Sequence, residues 1–172
     1  MARRVYFSFH YEGDVWRANQ VRNSWVTKKK GDTPFQDKAD FEQVKKQGDG
    51  AIKNWIDKNL EGTSVTVVCV GKETCNRKWV RYEVEKSIER GNAIVFVKVH
   101  NMKDQNGQTS EEGEMDFGPN VDVSKHPVHD YANENGYDNI GDWVESSYQA
   151  AHRPNLGSPP HRSSGRTGCG RR

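Results

Sequence analysis

Apolar and polar positions along the chain lay out most of its elements before composition is considered. Over residues 4–9, Val5, Phe7 and Phe9 alternate with Tyr6 and Ser8, and the run is apolar enough to predict a strand inside a sheet. Residues 14–29 carry Val15, Ala18, Val21, Trp25 and Val26 at helical spacing, with Asp14 placed as an N-cap and lysines at the far end. Residues 41–60 offer Phe41, Val44, Ile52, Trp55, Ile56 and Leu60, interrupted at Gly48 and Gly50, which predicts a break and a helix from about Ala51. Residues 64–70, Ser-Val-Thr-Val-Val-Cys-Val, form the strongest strand, expected to be central and stopped by Gly71 at the edge where open α/β sheets build sites. A helix over 75–90 follows, with Val80, Val84 and Ile88 on one stripe and Gly91-Asn92 as its stop. Residues 93–99 then return as another apolar strand.

This order predicts a mostly parallel sheet with crossover helices, a flavodoxin-like α/β sandwich, with a further short strand expected near residues 34–37. Residues 101–128 are polar and aperiodic, and the pattern assigns them only as an insertion. Residues 137–151 place Ile140, Trp143, Val144 and Tyr148 on one helical face. Beyond them, 153–172 is Pro, Gly, Ser and Arg, expected to be a disordered basic tail behind a domain spanning 1–152.

Composition sharpens this outline. Of 172 residues, 33% are hydrophobic and 29% charged, which suits one domain. Eighteen valines against two leucines argue against a helical bundle. The net charge of +2 includes five arginines and no acid in 153–172, so residues 1–152 carry −3 and have no global attraction for nucleic acid. The Lys28-Lys29-Lys30 triplet reads as a solvated helix end. Cys69, Cys75 and Cys169 form neither a disulfide framework nor a paired metal-ligand spacing, and no apolar run approaches membrane-spanning length. A cytoplasmic protein without a membrane or nucleic-acid partner is expected.

Several chemistries are excluded by what is missing at the strand ends. Ser8-Phe9-His10-Tyr11-Glu12-Gly13 is no phosphate loop, and Val70-Gly71 stands where a phosphoacceptor aspartate would be needed. His126 and His129 flank Pro127 without a nearby third ligand, so no metal site is expected. The informative stretch is Trp79-Val80-Arg81-Tyr82-Glu83, just past the central strand. Trp79 and Glu83, four apart, share a helix face, while Glu85 points elsewhere. A single carboxylate among aromatic side chains suits stabilisation of positive charge on a sugar, although a lone helix glutamate is also commonly just solvated.

These residues resemble Toll/interleukin-1 receptor (TIR) domains. Val5-Tyr6-Phe7-Ser8-Phe9-His10 looks like their first strand, and Trp79-Val80-Arg81-Tyr82-Glu83 resembles their Trp-Cys-x-x-Glu helix motif with Val80 in place of the cysteine. Residues 3–11, 21–27 and 76–83, extended by 62–66 and 87–92, are most similar to the TIR-like subfamily of bacterial Thoeris anti-phage systems. The resemblance implies a TIR fold that binds NAD as substrate, with no separate cofactor. It implies cleavage of the nicotinamide–ribose bond and closure of ADP-ribose into a cyclic signal for a separate NAD-depleting effector, with self-association between TIR surfaces as a further expectation. It places Glu83 as the catalytic residue and Tyr6, Phe7, Ser8, His10, Arg81 and Tyr82 about the substrate. From packing alone, Phe7 and Phe9 also read as core and Arg81 as a surface residue. The alternative is a catalytically silent TIR-like scaffold. As an exposed or pocket-lining carboxylate, Glu83 is expected to tolerate glutamine with a stability change within about 1 kcal/mol.

Overall fold

Among the residues that the computed structural model describes, 3–29, 33 and 38–153, four strands alternate with helices. The order is β1 (Val5–Ser8), α1 (Val15–Lys29), α2 (Lys38–Lys45), α3 (Asp49–Leu60), β2 (Val65–Val70), α4 (Lys78–Glu89), β3 (Ala93–Lys98), β4 (Val128–Asp130) and α5 (Gly136–Ala151). The strands pair in the sequence β1-β2-β3-β4, all parallel, with Val5 opposite Val65, Val65 opposite Ala93 and Phe96 opposite Val128. β1, β2 and most of β3 are buried on both faces, which is why they read as continuous apolar runs. This is the α/β sandwich that the pattern predicts.

Strand parity sorts the core into two clusters. Val5, Phe7, Val65, Val67, Val95 and Val97 meet Val21 and Trp25 of α1 and Ile140 and Val144 of α5. Val68, Val70, Ile94 and Phe96 point the other way, onto Val80 and Val84 of α4 and onto Phe117 and Val121. Because β4 lies at the sheet edge, α5 folds back across β3 and β2 beside α1. There Ser147 Oγ donates to the Ile94 carbonyl at 3.0 Å, and Lys28 pairs with Asp138 at 2.8 Å.

Three local readings change. The helix expected over 75–90 is two pieces: a 3-10 turn at Thr74–Asn76, then α4, separated by Arg77 with φ −86° and ψ 122°, an extended geometry that no α-helix continues through. The break between α2 and α3 falls at Gly48, whose φ of 99° is left-handed, so α3 starts at Asp49 rather than near Ala51. Residues 101–128 are folded onto the sheet. Phe117 is fully buried, its ring centroid 5.1 Å from that of Phe96, and the segment leads directly into β4. Met102, Met115, Phe117, Val121 and Val123 are spaced with neither a strand nor a helix period in a polar run, so the pattern could not reveal this packing. The strand expected near 34–37, Lys30 of the lysine triplet and the tail from 154 lie outside the described residues. No described helix is long and apolar enough to cross a membrane.

Candidate active site

β1 is extended, so alternate side chains leave on opposite sides, and Tyr6 and Ser8 share the side that faces α4. On α4, Val80 and Val84 are buried with Glu83, so the apolar stripe that docks the helix carries the carboxylate into the interior. Tyr6 Oη donates to Glu83 Oε1 at 2.7 Å, and Ser8 Oγ donates to Oε2. The helix is further tied down through Ser87, whose hydroxyl donates to the Glu83 carbonyl at 2.7 Å and accepts from Thr66 Oγ1 at 2.8 Å.

Glu83 is 2% exposed. Burial pushes its carboxyl up to about 7, against the opposing pull of the Ser8 and Tyr6 hydrogen bonds. Two hydroxyls hold the carboxylate, and no guanidinium or ammonium lies within ion-pairing distance of it among the described residues. A negative charge so held is available to a cation that forms beside it.

A cavity of about 230 Å³ opens at the C-terminal end of β1 against the N-terminal turn of α4, the edge at which open α/β sheets place ligands. His10, Tyr11, Phe41, Arg77, Trp79 and Val80 line it. Its apolar wall is an aromatic series: Phe9 against Tyr11 at 4.4 Å, Tyr11 stacked on Phe41 at 4.5 Å, and Phe41 against Trp55 at 5.6 Å between centroids. Glu83 lies one helical turn beyond Trp79, buried and outside the cavity lining. Lys78 and Trp79 separate this cavity from a shallow depression that includes Lys53, Arg81, Tyr82 and Glu85.

The structure brings Tyr6, Ser8 and Glu83 together and sets His10, 8% exposed, on the adjoining cavity wall. The other three residues sit apart. Phe7 is 2% exposed in the α1/α5 cluster, on the opposite face of the sheet from Glu83, as strand alternation requires. Arg81 turns away from the cavity and donates to the carbonyls of Cys75 at 2.6 Å and Asp116 at 3.3 Å. Tyr82 donates to Asp57 Oδ1 at 3.0 Å, with its hydroxyl pushed up to about 12 by burial and by that carboxylate.

A second polar group at the strand ends is absent from the sequence reading. Asp14, placed there as an N-cap, directs its carboxylate to Arg17 Nη1 and Thr74 Oγ1, both at 3.3 Å. Thr74 Oγ1 in turn accepts from the Gly71 amide at 2.8 Å. Arg17, buried, donates to the carbonyls of Met102 and Gln108 at 2.9 Å each and so fastens the insertion over the sheet edge. The one hint in sequence is spacing: Asp14 and Arg17 are three apart, as an intrahelical ion pair requires. His126 packs edge-on to Phe96 and His129 stacks on Trp143. No three His, Cys, Asp or Glu side chains converge on a metal position among the described residues.

Comparison with known proteins identifies the family. The family described as Thoeris protein ThsB, TIR-like domain, matches residues 6–104. A protein of Bacillus cereus (strain MSX-D12) named Putative cyclic ADP-D-ribose synthase ThsB1 is 44% identical over 119 residues, a match that spans 68% of this chain and 62% of that protein. Tyr6 and Ser8 of β1, the α4 motif and the strands β2 and β3 fall within the matched residues, and the chain belongs to the ThsB TIR-like family.

Proposed function

We propose that the chain cleaves the bond between nicotinamide and ribose in NAD and closes the ADP-ribose into a cyclic signal. That signal would activate a separate NAD-depleting effector in defence against phage. The observation that supports this reading is the Glu83 carboxylate, buried, held by Tyr6 and Ser8, and adjacent to a cavity at the strand ends. As nicotinamide departs, its ring nitrogen takes the bonding electron pair and C1′ of the ribose becomes an oxocarbenium-like cation. A fixed negative charge in a poorly solvated position stabilises that cation far more than water does.

The name of the Bacillus cereus relative, a cyclic ADP-ribose synthase, points the same way. A cavity of about 230 Å³ lies below the roughly 300–1,000 Å³ of ordinary ligand clefts, so it suits the nicotinamide and its ribose rather than a whole dinucleotide. The remainder of NAD then lies outside it, where Lys78 and Trp79 border the shallow depression.

A scaffold reading draws on one observation, the near-complete burial of Glu83 with both its oxygens satisfied. The test is incubation of the activated protein with NAD, with nicotinamide and nucleotide products identified by mass spectrometry. Wild type should release nicotinamide, and Glu83→Gln should lose on the order of 10² to 10³ in rate. Equal behaviour of the two would establish the scaffold instead.

A further inference from the structure

The proposed reaction needs something Glu83 is poorly placed to supply. Once the oxocarbenium-like centre has formed, an oxygen nucleophile, either water or a hydroxyl of the same ADP-ribose, must shed a proton as its bond to C1′ forms. Both Glu83 oxygens already accept hydrogen bonds from Tyr6 and Ser8, and the residue, 2% exposed, is not part of the cavity lining. Resting on the NAD-cleaving reading above, we propose that the His10 imidazole is the base that takes this proton.

Position comes first. His10 follows Tyr6 and Ser8 at the same two-residue interval, and it lines the cavity together with Trp79 and Val80 of α4. Gly13 leaves room for the ring beside it: a Cβ there would lie 2.8 Å from His10 Nδ1, so a larger residue would displace the imidazole. The backbone is fixed as well, since the Asp14 amide donates to the His10 carbonyl at 2.9 Å. Although 92% of its surface is covered, the ring makes no side-chain hydrogen bond among the described residues, which leaves an imidazole nitrogen for a ligand on the cavity side.

Charge state supports the same role. Burial and the facing Arg77 hold the imidazole below the ordinary histidine range, and Asp14, Glu12 and Glu73 pull it back only in part. It is therefore mostly neutral, and able to accept a proton, at neutral pH. Two carboxylates share the wall: Glu12, exposed and paired with Lys45, and Glu42, half-buried on α2.

The balance is complete. The C1′–N bond breaks with its electron pair passing to nicotinamide, the C1′–O bond forms, and the oxygen's proton passes to His10 and then to solvent. NAD and water thus give nicotinamide, ADP-ribose and a proton; with a ribose hydroxyl as acceptor, NAD alone gives nicotinamide, the O-linked cyclic product and a proton. A nitrogen acceptor needs no such base, because a pyridine nitrogen carries no proton to lose.

That difference supplies the test. The probes are NAD with isotopically labelled nicotinamide, whose incorporation into NAD reports attack by nitrogen, and mass spectrometry of ADP-ribose and O-linked products, which reports attack by oxygen. His10→Gln should retain label exchange while the oxygen products fall about 10²-fold, the usual effect of removing a general base. Added imidazole should restore those products in His10→Ala. In wild type the ratio of oxygen products to exchange should rise with pH through the His10 titration and be flat in His10→Gln. Glu83, required for both outcomes, cancels from that ratio. If both readouts fall together in His10→Gln, the residue only binds substrate or supports the fold and the proposal is overturned. If neither changes, it is overturned as well, while NAD cleavage stands. A wild-type protein that neither exchanges nor releases nicotinamide overturns the NAD-cleaving reading itself, and this proposal with it.

Discussion

Tyr6 Oη reaches Glu83 Oε1 at 2.7 Å across 77 positions of sequence, joining the first strand to the middle of α4 through a buried hydrogen bond. With Ser8 on the other oxygen, the edge of the sheet becomes a cradle for a carboxylate that the interior would otherwise keep protonated.

The cradle predicts a pH-dependent stability. Glu83 binds its proton more tightly in the fold, at about 7, than in the unfolded chain, near 4.5. Between those values the folded state holds a proton that the unfolded state has lost, so stability falls as pH rises through this window and levels off above it. The difference amounts to about 3 kcal/mol. Glu83→Gln removes the titration, so the variant should be more stable than wild type at pH 8 by an amount of this order and nearly equal to it near pH 4.5. Urea denaturation at the two pH values measures this. The expectation of a change within about 1 kcal/mol treats Glu83 as exposed or pocket-lining, and its burial overturns that premise.

Tyr6→Phe keeps the ring and deletes one donor to the carboxylate. The remaining Ser8 donor holds the charge less well, so the carboxyl moves further up and the acid limb of nicotinamide release shifts to higher pH. Above pH 7 the loss should cost about 1.5–3 kcal/mol of stability, and less in acid, where the partner is neutral. Unchanged pH profiles in wild type and variant would count against Glu83 as the titrating group.

Glu85→Gln should leave nicotinamide release near wild type. Glu85 lies two positions from Glu83 and borders the shallow depression, away from the carboxylate cradle. A rate loss comparable to that of Glu83→Gln would move the chemistry to the wrong face of α4.

Arg17→Met should free the insertion. It removes the two bonds to the Met102 and Gln108 carbonyls and leaves the Asp14 carboxylate buried without its cation. Breaking a buried pair from one side typically costs about 3–5 kcal/mol. Amide exchange should accelerate over residues 102–110 before it does in β2, and an even increase across the sheet would show that the insertion is not a separate unit.

Gly113→Ala tests the same closure from above. The added Cβ would fall 2.0 Å from the Gly71 carbonyl oxygen, backbone against backbone, so the segment must lift. A loss of about 1–3 kcal/mol is expected by thermal or chemical denaturation.

The sequence determined the layered α/β class, because Val65–Val70 and Ala93–Lys98 are each apolar at every position but one, Thr66 and Lys98, and an amphipathic helix separates them. It also singled out Glu83, whose place one turn after Trp79 could be read from helical spacing. Spacing gives direction within an element but not between elements. It could not say that Tyr6 and Ser8, rather than Phe7 on the other side of the strand, would close on Glu83 until β1 was set against α4. Nor could it show that Arg81 and Tyr82, although adjacent to Glu83, turn to Cys75 and Asp57. The insertion was the least legible: its attachment depends on a buried arginine binding main-chain carbonyls, which carry no side-chain signature. Local pattern therefore decided the elements and the carboxylate, and tertiary packing decided its burial, its proton affinity and its neighbours, because these depend on what the rest of the chain places around it.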